Sequence, residues 1–137
     1  MQLSRFIDAQ SQIYEQALQE IKSGKKRGHW MWFIFPQING LGVSSTANFY
    51  GIKNYEEAKA YIEDDVLSTR LFEISNTLLS LKGNDASIIF GYPDDLKLKS
   101  CMTLFSMVSC NPVFQLVLEK FYKGEKDKKT IDILSKG

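Results

Sequence analysis

The sequence predicts an all-α fold, a compact single-domain array of six to seven helices. Three observations lead there. Apolar residues recur at steps of three and four through most of the chain. The segment boundaries carry helix caps and stops. No hairpin signal and no sustained two-residue alternation interrupts the pattern.

The first predicted helix spans 4–22. Leu3, Phe6, Ile7, Gln10, Ile13, Tyr14, Ala17, Leu18 and Ile21 fall on one face of it. Ser4 is its candidate cap and Gly24 its stop. Lys25–Arg27 follow the C-terminus, where the helix dipole favours cations. Trp30–Phe35 is continuously apolar and fits a buried strand or a short buried helix equally. Pro36 disfavours helical backbone at Phe35, so any helix ends there. Asn39-Gly40 and Leu41-Gly42 mark a loop. Ser44, Ser45 and Thr46 then offer caps for a short segment reaching Tyr50.

Asn54 with Glu57 three residues on is a capping-box variant and opens a helix over 54–62. Asp64 or Asp65 opens the next, over 66–81, whose face is Leu67, Leu71, Ile74, Leu78 and Leu81, with Gly83 beyond its end. Ser87–Phe90 is a short apolar run, strand or helical turn. Pro93-Asp94-Asp95 starts a helix over 94–108 with the face Leu98, Cys101, Met102, Phe105 and Val108. Asn111-Pro112 restarts the chain over 112–122, with Val113, Val117, Leu118 and Phe121 inward and Gly124 as stop. Asp127 caps a last helix over 127–135, which carries Ile131, Ile133 and Leu134.

At 137 residues the chain is one domain, 1–137, expected to be monomeric. Hydrophobic residues at 44% and charged residues at 24% are ordinary globular usage. A formal net charge of +1 argues against a duplex nucleic-acid partner, which needs a basic excess. The longest apolar run, Trp30–Phe35, is far too short for a bilayer, so no membrane role is expected. Cys101 and Cys110, if held on one helix, stand about 13 Å apart at 1.5 Å per residue, beyond disulfide reach. Free thiols and a polar N-terminus fit a cytoplasmic protein. Two cysteines and one histidine without metal-ligand spacing predict no metal site.

Chemistry concentrates in residues 24–42. His29 is the only side chain whose ordinary pKa lies near neutrality. It reads as a general acid/base or a ligand hydrogen bonder, or as a histidine closing a helix end. Trp30, Trp32, Phe33 and Phe35 cannot all face one way, so most are core. Trp32 is the candidate wall for a flat ligand. Lys25, Lys26 and Arg27 before Gly28 form an anion-friendly corner or a solvated charge run. Gly40-Leu41-Gly42 leading to Ser44 is a turn that permits close approach to a ligand. No Walker motif and no GxGxxG is present, so no cofactor is identified. A second cluster holds Asp94, Asp95, Lys97, Lys99, Ser100, Cys101 and Thr103. Lys97, Ser100 and Thr103 share a helical face, opposite the apolar one that takes Cys101. Lysine beside serine can activate a nucleophile, but no oxyanion-hole signature accompanies it.

Two long motifs carry a family resemblance. One is Gly24-Lys-Lys-Arg-Gly-His-Trp-Met-Trp-Phe-Ile-Phe-Pro-Gln37, with Gly40-Leu-Gly42 and Ser44 after it. The other is Ile89-Phe-Gly91, Asp94-Asp-Leu-Lys97-Leu-Lys-Ser100 and Met102-Thr-Leu-Phe105. Together they closely resemble the DUF1810 family, and the likeness runs from Arg5-Phe6 to Gly124, Asp127 and Thr130. Two positions depart from the family pattern: Gly28 and Cys101 stand where serines are common. The resemblance implies a compact, mostly helical domain and no established activity.

The expectation is therefore a small-ligand domain whose pocket lies between Gly28–Gln37 and the Asp95–Thr103 helix. It suits an anionic, nucleotide-like or phosphorylated metabolite, with or without a reaction. His29 and Ser100 are the candidate catalytic residues; Arg27, Trp32, Gln37, Ser44, Asp95, Lys97 and Thr103 are the candidate ligand contacts. His29 and Ser100 should lie within about 10–12 Å, a span that one small ligand bridges. The alternative is a non-catalytic module whose exposed aromatics dock a protein partner.

Overall fold

The structure, a computed structural model, describes residues 3–136. These residues form ten helices: α1 (Ser4–Ser11), α2 (Tyr14–Lys22), α3 (Met31–Ile34), α4 (Ser45–Tyr50), α5 (Tyr55–Glu63), α6 (Asp65–Ser80), α7 (Ala86–Phe90), α8 (Asp94–Val108), α9 (Val113–Tyr122) and α10 (Lys128–Lys136). Among the described residues there is no strand, only one isolated parallel bridge between Ile38 and Ile52. The all-α class stands, and the helix count corrects the expected six to seven.

Two effects account for the difference. The predicted helix over 4–22 breaks between α1 and α2, where Ile13 N–H turns back to the Gln10 carbonyl at 3.0 Å. The apolar spacing runs straight through that turn, so periodicity cannot reveal it. Each side of the break sends a polar side chain inward. Gln10 donates to the Phe33 carbonyl at 2.7 Å and the Tyr61 hydroxyl at 3.0 Å. Tyr14 donates to Glu73 of α6. Nor does Ser4 cap α1; it is the first helical residue, and Leu3 precedes it without a side-chain bond. The other additions, α3, α4 and α7, are the short segments whose periodicity was too brief to read.

The remaining termini follow their caps. Asn54 accepts from Glu57 N–H at 2.9 Å, Asp64 from Val66 and Leu67, Asn111 from Val113 and Asp127 from Thr130. The central element is α8. Leu98, Cys101, Met102, Thr103, Leu104 and Phe105 are all fully buried, so it is enclosed on several sides rather than along one stripe. It packs against α5, α7, α9 and α10. The Phe105 ring lies 5.1 Å from Tyr61 of α5 and 5.8 Å from Phe114 of α9, centroid to centroid.

A buried ion pair ties the N-terminal helices together. Arg5 of α1 meets the Glu57 carboxylate of α5 at 2.8 Å and also donates to the carbonyls of Phe49 in α4 and Gly51 just after it. Burial opposes charge on Glu57, but Arg5 and the Lys53 N–H outweigh it and hold its carboxyl below the ordinary range. The same region anchors the strand-like residues after Pro36. Asn39 N–H bonds the Ile52 carbonyl at 2.7 Å and Ile52 N–H bonds the Gln37 carbonyl at 2.8 Å.

Both cysteines are free, Cys101 buried and Cys110 exposed, and burial raises the Cys101 thiol well above its ordinary value. Native protein should therefore consume one equivalent of a thiol reagent, at Cys110, and two in denaturant. Mass spectrometry of the labelled protein checks this; rapid native labelling at Cys101 contradicts it.

Candidate functional site

A groove runs between the 26–42 segment and the N-terminal half of α8. Its construction begins with Glu20 in the last turn of α2. This carboxylate accepts from Arg27 N–H at 2.7 Å, Gly28 N–H at 2.8 Å and the Trp30 indole N–H at 2.9 Å, all on one oxygen. Its other oxygen accepts from Gln16 at 2.8 Å. Burial alone would raise the Glu20 pKa; these donors reverse the effect and hold it at about 2. The turn after α2 is thereby folded onto a fixed point. Lys26 N–H adds a bond to the Ile89 carbonyl of α7 at 2.8 Å.

Gly28 is required by close approach. A Cβ there would lie 2.8 Å from Trp30 Cδ1, closer than side chains come. Trp30 itself is 1% exposed and sits on Phe35, so it is core. Trp32, two residues on, is half-buried and forms a wall of the groove. Trp30 precedes α3 and seals the interior, whereas Trp32, inside α3, faces the groove.

Asp94 opens α8 and joins two cations. Lys26 Nζ lies 2.9 Å from Asp94 Oδ2, and Lys97 Nζ lies 3.1 Å from Asp94 Oδ1. Lys97 Nζ also stands 3.9 Å above the Trp32 ring centroid, a cation–π contact. Lys26 donates to the Gly28 carbonyl at 2.6 Å. Burial pushes the Asp94 carboxyl up, and the two ammonium groups more than cancel this, so it remains ionised.

Two adjoining depressions share Trp32 and Lys97. The polar one, about 120 Å³, is lined by Lys26, His29, Met31, Trp32, Asp94 and Lys97. The larger, about 250 Å³, is lined by Trp32, Gln37, Leu41, Gly42, Pro93, Leu96, Lys97, Ser100, Asp127 and Lys129. Of the residues singled out in the sequence, His29 borders the smaller depression, Gln37 and Ser100 border the larger, and Trp32 and Lys97, in contact with each other, border both. His29 is exposed at the polar end of the groove, and among the described residues no hydrogen bond holds its imidazole. Ser100 is buried, and its hydroxyl donates to the Leu96 carbonyl at 3.2 Å.

Four others lie elsewhere. The exposed Arg27 side chain reaches back to Ser23 and the Lys25 carbonyl. Ser44 caps α4 by accepting from Ala47 N–H at 3.1 Å. Asp95 borders a different depression with Lys99 and Tyr122. Thr103, fully buried, donates to the Lys99 carbonyl and accepts from Asp127 N–H at 2.9 Å, so it fastens the entry to α10. The sequence leaves Lys26 between an anion-friendly corner and a solvated charge run and reads Asp94 and Asp127 as caps; all three line the groove. The i, i+3 spacing of Asp94 and Lys97 was the available signal. The proximity of Lys26 and Asp127 is tertiary and has no local sign.

The chain belongs to the DUF1810 family, proteins of unknown function, whose model matches residues 1–134. It is also similar to a crystallographically solved conserved hypothetical protein of Mycobacterium tuberculosis. The identity is 46% over 97% of this chain and 96% of that one, with a TM-score of 0.95. No curated protein matches the chain.

The Glu20 pKa carries a pH dependence with a definite sign. The folded value of about 2 lies below the ordinary 4.5, so the unfolded chain binds the proton more tightly. Glu20 therefore contributes its full stability above about pH 4.5 and loses it as the pH falls toward 2. Urea unfolding across that range should show a shallower acid loss in Glu20→Gln than in the native protein. Glu20→Ala, which orphans three N–H donors, should cost about 3 kcal/mol or more at neutral pH. Parallel acid profiles for the native chain and Glu20→Gln would refute this role.

Proposed function

We propose that the groove binds an anionic small ligand, a phosphorylated metabolite carrying a flat ring. The observation that supports it best is the Lys26–Asp94–Lys97 arrangement, in which one carboxylate is shared by two ammonium groups beside Trp32. That cluster carries one more positive than negative charge, and His29 stands at the same end. An anion entering there meets two partly neutralised cations already held in place, so little side-chain ordering remains to oppose binding.

The ring half follows from Trp32. Lys97 rests on the indole face at 3.9 Å. A ligand phosphate competes for this ammonium and draws it toward the polar depression, which opens the indole face to an aromatic ring. Leu41, Pro93 and Leu96 supply apolar surface around the same space. A mixed lining of this kind, apolar walls with a few convergent polar groups, suits a metabolite better than a flat protein epitope.

The reading is one of binding first. Ser100, a serine beside a lysine, spends its proton on the Leu96 carbonyl, and among the described residues no base accepts it. His29 is the group able to exchange a proton with the bound anion.

Thermal shift with inorganic pyrophosphate and a panel of nucleoside monophosphates tests the proposal. A ligand at 100 times its Kd should stabilise the native chain by about 2.7 kcal/mol. Lys97→Met, which leaves the Lys26–Asp94 pair intact, should weaken binding about tenfold to a hundredfold through loss of one charged contact. If no phosphate-bearing probe at millimolar concentration raises the melting temperature of the native chain, the groove is not an anion site.

A further inference from the structure

We infer that His29 is the proton-coupled contact of this site: the bound anion is met by an imidazolium, and its binding takes up a proton at His29. The inference rests on the ligand reading above and adds the protonation state in which the site captures its anion.

His29 is the one histidine of the chain, and an imidazole is the side chain that ordinarily changes charge close to neutrality. Its backbone is fixed on both sides. Gly28 N–H and the Trp30 indole N–H both bond Glu20, at 2.8 and 2.9 Å. Its side chain is exposed, and among the described residues no hydrogen bond holds the imidazole. Both ring nitrogens therefore remain for solvent or a ligand.

The depression that His29 lines is about 120 Å³, with Lys26, Asp94 and Lys97 on its other walls. In so small a space an anion stands a few ångströms from every wall, so the imidazole acts on it by charge even without a direct contact. The charged groups facing His29 are Lys26 from the turn after α2 and Asp94 and Lys97 from α8; α3 adds only Met31 and Trp32. Arg27, its neighbour in sequence, turns back to Ser23 and the Lys25 carbonyl. The two ammonium groups hold the Asp94 carboxyl below its ordinary range, so it stays ionised at neutral pH. Ammonium groups ordinarily keep their protons there.

Two ammonium groups against one carboxylate leave one positive charge in excess beside the imidazole. A bound anion cancels that excess, so a proton on His29 costs less in the complex than in the free protein. By linkage, protonation of His29 tightens anion binding by the same factor. Affinity is therefore full in acid, where the free protein already carries the proton. It falls as the pH rises past the higher value at which His29 titrates in the complex.

The probe is 4-nitrophenyl sulfate, a flat ring with one negative charge that does not titrate, because a phosphate monoester itself gains a proton at about pH 6. Calorimetric titration of the full chain should show binding about threefold to tenfold tighter at about pH 5.5 than at about pH 8, the effect of one unit charge a few ångströms away near a protein surface. In proton NMR the single imidazole should show its titration midpoint moving up by about 0.5 to 1 pH unit when the probe is bound. His29→Gln should bind with the weaker affinity at both pH values, and His29→Arg, charged throughout, with the tighter one. A midpoint that does not move, or native affinities equal at the two pH values, overturns the proton coupling and leaves the ligand reading intact. So does a pH dependence that survives in His29→Gln. A native chain that binds pyrophosphate but not 4-nitrophenyl sulfate also overturns it, since the imidazolium then adds too little to hold a single charge. If neither probe binds, both readings fall.

Discussion

A buried carboxylate held by hydrogen-bond donors organises this protein's groove. Glu20 is stabilised by two backbone N–H groups, the Trp30 indole and the Gln16 amide. Burial of a charge is tolerated when hydrogen-bond donors replace its water, and here the donors come from the residues that must be positioned. The turn from Lys25 to Trp30 would otherwise be a basic, glycine-flanked loop of little intrinsic preference. Bound to Glu20, it places Trp30 in the core, starts α3, and so sets the direction of Trp32. The Lys26 backbone, pinned to α7 through Ile89, sends its ammonium toward α8.

From that fixed point the groove's electrostatics follow. Asp94 holds Lys26 and Lys97 at 2.9 and 3.1 Å, which brings together two parts of the chain far apart in sequence. Ion pairs near a protein surface contribute little to stability. The value of this cluster is geometric: two long, flexible side chains are kept extended at the mouth of one depression. The side chains are also partly shielded, with Lys26 at 9% and Lys97 at 20% exposure, so salt screens them less than it would on an open surface. A division of labour results, in which Glu20 shapes the backbone and Asp94 aims the charges.

How much of this was legible in the sequence depends on range. Helices marked by caps and more than two turns of apolar spacing were placed to within a residue or two at α5, α6, α8, α9 and α10. The break at Ile13 was invisible because the spacing of Leu3 to Ile21 survives a tight turn. The short helices α3, α4 and α7 lacked the length for a period to show. The site divided in the same way. Trp32, Lys97 and Ser100 belong to dense local motifs, and the groove's walls are those motifs. Thr103 and Ser44 looked equally chemical, yet their hydroxyls serve helix ends, a role that depends on what packs beside them. Lys26 and Asp127 gained their place only from the tertiary meeting of the turn after α2 with α8 and α10.

The same coupling explains why residue 28 matters in a chain that otherwise follows its family's motif. Serine is common in the family where this protein has Gly28. Here a Cβ would press on Trp30 Cδ1 at 2.8 Å and on the Gln16 amide at 3.1 Å, and both of those groups bond Glu20. The residue's own backbone is committed on both sides: its N–H to Glu20 and its carbonyl to Lys26 at 2.6 Å. A serine in this turn cannot be absorbed by a rotamer change, because the contact is made by the Cβ itself. The indole or the backbone must shift, and either movement acts on the Glu20 bonds, the second also on Lys26 through the carbonyl. Lys26 is one of the two cations on Asp94, so the conformation of residue 28 reaches the groove through one hydrogen bond and one ion pair. The position that looks like a minor departure in sequence is therefore tied to the charge geometry on which the proposed anion binding rests.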